Sequence, residues 1–250
     1  MEKFSRNELY WGAVFQQKLK DIKIVIAGLG GVGGFTLEAL ARVGIENFLI
    51  IDFDVVSESN INRQLIALES TIGIKKTEAW EERLNDINPN IKLEIIDDFI
   101  DSDMHKKILD YAPDYLVDAI DTTRSKVELL ALANNNSIKA VTSFGAGNRI
   151  DATQLVLSDI SEVEANCNFS KNIIKKLKNL GGEANLAVVW SREKAKNIAK
   201  LKNVEKFMKN DGKILEFEKF SPASISTVPA VAGYLMANYI ILDLYNNLSL

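Results

Sequence analysis

The chain of 250 residues is 47% hydrophobic and carries a formal net charge of −4, so it can bury one full core or a core with an appendage. Its single cysteine, Cys167, excludes an internal disulfide and a multi-cysteine zinc site, and its single histidine, His105, leaves little room for histidine metal ligands. Residues 1–12 lack an apolar signal-peptide core, and the apolar run 228–244 is interrupted by a proline and two polar residues, so we expect a soluble, cytoplasmic protein.

Short apolar runs alternate with amphipathic stretches through the first 150 residues. This alternation predicts an α/β fold with a doubly wound, mostly parallel, Rossmann-like sheet covered on both faces. The predicted strands are Lys23–Ala27, Asn47–Asp52, Lys92–Asp97, Tyr115–Asp118 and Lys139–Ser143. The predicted helices are Gly33–Val43, Lys75–Asn85, Ser102–Tyr111 and Thr123–Asn134.

The pattern changes after Ile150. The sequence there predicts a strand in 151–160, a polar loop over 158–170, a short strand at 186–190, and a C-terminal helix after the segment SPASISTVP. Because there is no low-complexity linker, we expect one fold unit. We divide it into an N-terminal helical arm (1–20), a central α/β domain (21–157), and a C-terminal extension (158–250) that completes the sheet.

The charge is unevenly distributed along the chain. Residues 171–213, the basic segment, hold twelve Lys or Arg against four Asp or Glu, so this segment carries about +8 and the remainder about −12. Such a segment in an acidic protein can attract a polyanion such as RNA. The alternative is a solvated helical face, because residues 171–180 and 192–210 both have helical spacing of apolar positions.

A glycine-rich turn, Gly28-Leu-Gly30-Gly31-Val-Gly33, follows the first strand and opens the first helix of the sheet. Glycines at this spacing permit a tight turn, close approach of a phosphate, and close packing of helix on strand. Asp52 ends the next strand about twenty residues on, where a carboxylate can accept hydrogen bonds from a ribose hydroxyl. The pattern predicts a nucleotide site.

The residues after Asp52 favour ATP over NAD. Asn60, Arg63 and Gln64 lie just beyond the strand end, and Lys75 and Lys76 open the next helix. Arginine binds phosphate oxygens in a bidentate manner and lysine supplies a mobile charge. A triphosphate needs more cations than the pyrophosphate of a dinucleotide, so this set predicts ATP.

Two carboxylates, Asp118 and Asp121, end another strand at the carboxyl edge of the sheet. One of them can hold Mg²⁺ between phosphate oxygens. The alternative for Asp121 is an N-cap of the following helix. We favour the metal role, because the neighbouring cations already imply a metal-bound nucleotide.

These motifs together resemble the ThiF/MoeB/HesA superfamily, the bacterial relatives of ubiquitin-activating enzymes. The resemblance rests on GxGGVG, a D-x-D strand end, S-N-x-N-R-Q, I-G-x-x-K-x-E, I-N-P and D-A-I-D. The segments RNELYWG, TSFGAGNRIDATQL, AVVWSRE and SISTVPAVAGYLMANYII are similar to the branch that dehydrates threonylcarbamoyladenosine in tRNA. The similarity covers nearly the whole chain.

The resemblance implies that residues 21–157 are a nucleotide-binding adenylation domain that binds ATP and Mg²⁺, and that the C-terminal extension also completes the interface of a homodimer. The nucleotide would be bound by Gly28, Gly30, Gly31, Gly33, Asp52 and Asp54, its phosphates would be surrounded by Asn60, Arg63 and Lys76, and Mg²⁺ would be held by Asp121. Arg6 would reach into the site of the partner subunit. The expected reaction is adenylation of the threonylcarbamoyl carboxylate in tRNA, followed by cyclising dehydration. A sulfur-transfer or cysteine desulfurase system is a further expected partner.

Departures from the family pattern keep alternatives open. The chain lacks the two CxxC pairs common in activators of sulfur-carrier proteins, and Thr122 replaces the usual asparagine after Asp121. Cys167 is either a thioester-forming residue or a small, partly buried one. The rival hypotheses are an activator of a ubiquitin-like carrier protein, an NAD-dependent oxidoreductase and a degenerate nucleotide-binding module.

Overall fold

The protein is built around a seven-stranded sheet with the strand order β3-β2-β1-β4-β5-β7-β6. The computed structural model describes residues 3–164, 167–180, 186–196, 201–208 and 214–248. The strands are β1 (Lys23–Ala27), β2 (Asn47–Ile51), β3 (Lys92–Ile96), β4 (Tyr115–Asp118), β5 (Lys139–Ser143), β6 (Leu155–Asp159) and β7 (Ala187–Ser191). Neighbouring strands are parallel except β6, which is antiparallel to β7. The predicted α/β fold is confirmed.

Helices cover both faces of this sheet. They are α1 (Ser5–Leu19), α2 (Gly33–Val43), α3 (Lys76–Ile87), α4 (His105–Tyr111), α5 (Thr123–Asn135), α6 (Asn168–Asn179) and α7 (Thr227–Leu248). Successive residues of β1 point to opposite faces, so Ile24 and Ile26 enter one core while Val25 and Ala27 enter the other. This double burial explains why the central strands are continuously apolar.

The sheet positions a site where its strand order reverses, between β1 and β4. The chain proceeds outward from β1 through β2 to β3, then returns to β4 on the other side of β1. The loops after these strands leave side by side: Gly28 N donates to Ile51 O at 2.9 Å, and Ala119 N donates to Ala27 O at 2.9 Å. Doubly wound folds bind ligands in the crevice at such a reversal.

The C-terminal helix α7 is 22 residues long, and by length and composition alone it could cross a membrane. The sequence had predicted an interrupted run too short for that. One side of α7 is part of the core: Thr36 Oγ1 donates to Gly233 O at 3.0 Å, and Val228, Met236 and Ile240 are fully buried. A core helix passes the same length and composition test, so α7 is weak evidence for a membrane span.

The prediction of a helix across residues 192–210 is wrong where the structure describes them. Residues 201–208 form β8 (Leu201–Met208), which pairs antiparallel with β9 (Ile214–Ser221) as a separate two-stranded ribbon. The alternation L-E-F-E in 215–218 and the Asp-Gly pair at 211–212 are hairpin signals. These signals outweigh the helical spacing of apolar residues in β8, because the structure of β8 depends on its pairing with β9 as well as on its own sequence.

The helical spacing in residues 171–180 is confirmed, because residues 171–179 belong to α6. Residues 192–196 of the basic segment are irregular. Residues 181–185, 197–200 and 209–213 lie outside the described residues. The polar loop expected over 158–170 is shorter than predicted, because its first two residues extend β6 and α6 begins at Asn168.

Candidate active site

The glycine turn between β1 and α2 leaves no room for side chains at two positions. Gly28 has a φ of 89°, and a Cβ there would lie 2.9 Å from the carbonyl oxygen of Ala119. A Cβ on Gly33 would lie 1.8 Å from the carbonyl oxygen of Gly28. The turn is therefore tight, and it places the residues directly before α2, Gly31 and Val32, in the lining of the crevice, as an anion site at a helix N-terminus requires.

A cavity of about 830 Å³ opens beside this turn. Its size lies within the range of cofactor pockets. It brings together the predicted residues Gly28, Gly30, Gly31, Asp52, Asp54, Asn60, Arg63, Lys76 and Asp121. Gly33 lies behind the lining, where it permits the packing of α2.

Asp52 ties the glycine turn to the end of β2. Its two carboxylate oxygens accept hydrogen bonds from Leu29 N at 2.7 Å and Asp54 N at 2.9 Å. Burial raises the pKa of Asp52 above its ordinary value, and the charge of Lys76 opposes this rise. The carboxylate therefore lies at a fixed position on the cavity wall, and its predicted role toward a ribose stays a prediction.

Lys76 is the buried cation of the cavity. Its Nζ lies 2.6 Å from Asp54 Oδ2 and 3.8 Å from Asp52 Oδ1, and only 5% of its side chain is exposed. The two carboxylates offset part of the cost of burying the ammonium. A polyphosphate entering the cavity offers the same ammonium a stronger anionic partner.

The segment after β2 forms the phosphate-side wall. Arg63 Nη1 donates to Ser59 O at 2.7 Å, and Asn60 Oδ1 accepts from Ser57 N at 3.2 Å. Gln64, buried to 7% exposure, lines the cavity, and its buried Oε1 has no hydrogen-bond partner. In the sequence, Gln64 belongs with Asn60 and Arg63 to the set that favours ATP, and it lines the same wall as they do.

Asp118, the last residue of β4, and Asp121, three residues later, have different surroundings. Asp118 is completely buried and paired with Lys126, so the hypothesis that it holds a metal ion does not fit. Asp121 is exposed and lines the cavity. It does not cap α5, since Thr122 occupies the N-cap position without a side-chain cap.

Mg²⁺ fits this cavity only together with a nucleotide. Among the residues that the structure describes, no group of three or more His, Cys, Asp and Glu could hold a metal ion alone. Mg²⁺ commonly takes one or two carboxylates and completes its coordination with phosphate oxygens and water. Asp121 would supply the carboxylate, and the ion would neutralise charge on the phosphates.

Arg6 and Cys167 lie outside the cavity lining. Arg6 is exposed on α1, in the turns before a kink at Gly12. Cys167 precedes α6, and its Sγ lies 3.3 Å from Ser170 Oγ. Burial raises the pKa of the Cys167 thiol, but hydrogen bonds from Ser170 and Arg149 and the charge of Arg149 outweigh burial, and the net pKa lies below its ordinary value.

Several lining residues had no role in the sequence-based prediction. Phe53 and Phe99 form an aromatic pair with centroids 5.3 Å apart, and both line the cavity. The opposite wall comes from two distant segments, 146–147 and 222–224, which are joined by a hydrogen bond from Ala223 N to Asn148 Oδ1 at 2.8 Å. The sequence offers a signal only for the two phenylalanines: each directly follows an aspartate near the end of a predicted strand, Phe53 after Asp52 and Phe99 after Asp98.

A family comparison covers nearly the whole chain. A model of the ThiF family matches residues 4–247. The chain belongs to the ThiF family. Among curated relatives, this ThiF-family chain is 34% identical over 250 residues to the tRNA threonylcarbamoyladenosine dehydratase of Bacillus subtilis, covering 100% of this chain and 97% of that protein. It is 33% identical to the molybdopterin-synthase adenylyltransferase of Escherichia coli, over 52% of this chain and 53% of that protein.

Solved structures give the same relationship. The crystal structure of E. coli tRNA N6-threonylcarbamoyladenosine dehydratase in complex with AMP superposes with a TM-score of 0.85 at 28% identity, covering 99% of this chain and 96% of that chain. The complex of the same enzyme with ATP gives a TM-score of 0.84, with 99% and 95% coverage.

Proposed function

We propose that this ThiF-family chain is an ATP-dependent enzyme that adenylates the carboxylate of N6-threonylcarbamoyladenosine in tRNA and then closes it to the cyclic form. The observation that carries the proposal is the convergence of Arg63, Lys76 and Asp121 on one cavity beside the glycine turn. An NAD-dependent oxidoreductase has no use for this set. The full-length similarity to enzymes with that name supports the choice of substrate.

In the first step, a carboxylate oxygen of the substrate attacks the α-phosphorus of ATP. A P–O bond forms, the bond from the α-phosphorus to the oxygen bridging to the β-phosphorus breaks, and pyrophosphate leaves. Lys76 and Arg63 stabilise the charge that builds on the phosphates, and one preorganised donor of this kind is worth about 3 kcal/mol. Asp121 would hold a Mg²⁺ ion, which when bound would neutralise part of the phosphate charge.

In the second step, an atom of the substrate's own carbamoyl group attacks the acyl carbon. The new bond closes a ring, the C–O bond to AMP breaks, AMP leaves with the former carboxylate oxygen, and a proton passes from the attacking atom to solvent. The tRNA has then lost one water. This attack needs no protein nucleophile because both groups are held in one molecule, so Cys167 has no required part and a thioester on it stays a secondary hypothesis.

The tRNA backbone would meet the basic segment. Lys171, Lys175 and Lys176 are exposed on α6. The start of α6 lies close to the segment that leads into the cavity wall: a Cβ on Gly145, the residue before the lining segment 146–147, would lie 3.6 Å from the ring of Phe169. Lysines on such a surface attract phosphates without reading sequence. The proposal places the enzyme in the cytoplasm with its tRNA; a sulfur-transfer or cysteine desulfurase partner stays a prediction.

The enzyme would act as a homodimer in which Arg6 of one subunit completes the site of the other. α1 exposes large apolar side chains, with Leu9, Tyr10 and Val14 at 87%, 77% and 75% exposure. Tyr10 also contacts Tyr245 of α7, with ring centroids 6.0 Å apart, so α1 and α7 form adjoining parts of one surface. A contiguous apolar surface of this kind is typical of a protein interface.

Pyrophosphate exchange into ATP tests the proposal. The purified protein is assayed with tRNA that carries threonylcarbamoyladenosine, with the same tRNA lacking the modification, and with a ubiquitin-like carrier protein. We expect exchange with the modified tRNA alone. Exchange that depends on the carrier protein would identify a carrier-activating enzyme instead, and ATP binding without exchange under any condition would identify a degenerate module.

A further inference from the structure

A charged cluster lies completely buried behind the turn that carries Asp121. Asp118 ends β4, Lys126 belongs to the first turns of α5, and Thr142 lies in β5. All three are 0% exposed. The cluster therefore connects three elements at the point where residues 119–122 turn from the sheet into the cavity wall.

The hydrogen bonds within the cluster are closely spaced. Lys126 Nζ donates to Asp118 Oδ2 at 2.6 Å, to Thr142 Oγ1 at 2.9 Å and to the backbone oxygen of Asp118 at 3.5 Å. Thr142 Oγ1 donates to Asp118 Oδ2 at 2.6 Å, and Asp118 Oδ1 accepts from Ile120 N at 3.3 Å. One of these bonds reaches the backbone of the turn, at Ile120 N, and another reaches the backbone oxygen of Asp118 directly before it. The cluster therefore holds the backbone where the chain leaves β4 and enters the turn.

Stability alone does not account for such a cluster. Burying an ammonium and a carboxylate costs several kcal/mol of desolvation, and well-packed apolar residues at such positions are often equally or more stabilising. What apolar residues cannot supply is directed hydrogen bonding to the turn and a positive charge behind it. Burial lowers the pKa of Lys126, and the charges of both Asp118 and Asp121 oppose this lowering, so Asp121 lies within electrostatic reach of Lys126.

We propose that Lys126 is a positioning residue which, through Asp118 and Thr142, holds the turn 119–122 so that Asp121 presents its carboxylate to the metal-bound phosphates of the nucleotide. This inference rests on the proposed function, because it takes the metal role of Asp121 from there. It adds that the geometry of Asp121 is set from inside the protein, by a group that touches neither nucleotide nor substrate.

The test uses a variant that removes both charges together, Asp118→Asn/Lys126→Met, because removing one partner would leave an uncompensated buried charge. ATP affinity is measured by isothermal titration calorimetry in EDTA and in Mg²⁺. The dissociation constant in EDTA divided by the dissociation constant in Mg²⁺ gives the factor by which the metal tightens ATP binding, and this factor is the ratio compared below. We expect the variant to bind ATP in EDTA like the native protein but to lose about tenfold in this ratio, the size of a typical coupling between contacting residues.

Two comparisons separate positioning from a general structural effect. In an Asp121→Asn background the same double substitution should cause no further loss in the ratio, because its effect passes through Asp121. The control Lys139→Met/Asp243→Asn neutralises an ion pair of equal length, 2.6 Å, at the other end of β5, and it should leave the ratio unchanged. Thr142→Val, which removes one hydroxyl, should give a smaller loss and serves if the double variant does not fold.

An unchanged ratio in the double variant, a loss of similar size in the control, or an additive loss in the Asp121→Asn background would each overturn the inference. The proposed function fails by a different result. If the ratio responds as expected while modified tRNA supports no pyrophosphate exchange, the positioning of Asp121 stands and the assigned reaction is wrong.

Discussion

Replacing Lys76 by alanine should abolish most of the adenylation activity. The Nζ of Lys76 is almost fully shielded from solvent and already lies between two carboxylates, so its charge acts in a low-dielectric cavity where a polyphosphate would feel it strongly. Loss of one such donor costs about 3 kcal/mol of transition-state stabilisation. This corresponds to a roughly 150-fold fall in kcat/KM.

The assay is pyrophosphate exchange with modified tRNA, at several ATP concentrations so that kcat and KM are separated. Lys76→Arg keeps the charge and should retain more activity than the alanine variant. Lys92→Ala, which removes a lysine from the opposite end of the sheet at the start of β3, controls for the loss of one positive charge. Thermal unfolding excludes a loss of fold. Activity of folded Lys76→Ala within about threefold of the native enzyme would refute the assigned role.

Three further results are expected. Asp121→Asn should reduce exchange by about 100-fold while ATP binding in EDTA stays unchanged; a parallel loss of ATP binding in EDTA would contradict the metal role. Glu38→Gln should lower the free energy of unfolding by about 2 kcal/mol at pH 7, because buried Glu38 accepts hydrogen bonds from two arginines. Burial raises the pKa of Glu38, but the two arginines outweigh burial and the net pKa is lowered. The difference in free energy of unfolding between the native protein and Glu38→Gln, measured by urea denaturation, should therefore persist above a pH of about 4.3 and disappear as the pH falls further. A difference that grows in acid would contradict this role of Glu38. Mixing inactive Arg6→Ala and Lys76→Ala subunits should restore about a quarter of the sites, and no recovery would argue against a site completed in trans.

The sheet and the glycine turn were predictable because their signals are local. Apolar runs bounded by Gly, Asn and Pro fix β1 to β5 to within a residue, and the spacing from Gly28 to Asp52 follows from one strand–helix–strand unit. The helix predicted across β8 failed for the opposite reason, since the partner strand, and not the segment's own periodicity, decides its structure.

The cavity was predictable on one side only. Its phosphate-side wall derives from consecutive motifs after β2. The opposite wall brings Gly147 next to Pro222, which is 75 residues further along the chain, and no short sequence motif predicts a contact at that separation. By residue type alone, Asp118 at the end of β4 and Asp121 three residues later are both candidate metal ligands, and only the family resemblance chose Asp121. The structure gives the physical reason: Lys126, in the first turn of α5, pairs with Asp118 inside the protein, whereas Asp121 lines the cavity.

The central claim is that a substrate carboxylate attacks the α-phosphorus of ATP bound beside the glycine turn. It is tested most directly with tRNA whose threonylcarbamoyl carboxylate is enriched in oxygen-18, incubated with the protein and unlabelled ATP, followed by mass spectrometry of the nucleotide products. The account predicts that the AMP released with the cyclised tRNA carries one heavy oxygen from the substrate. Unlabelled AMP, or cyclisation accompanied by ADP instead of AMP, would contradict it.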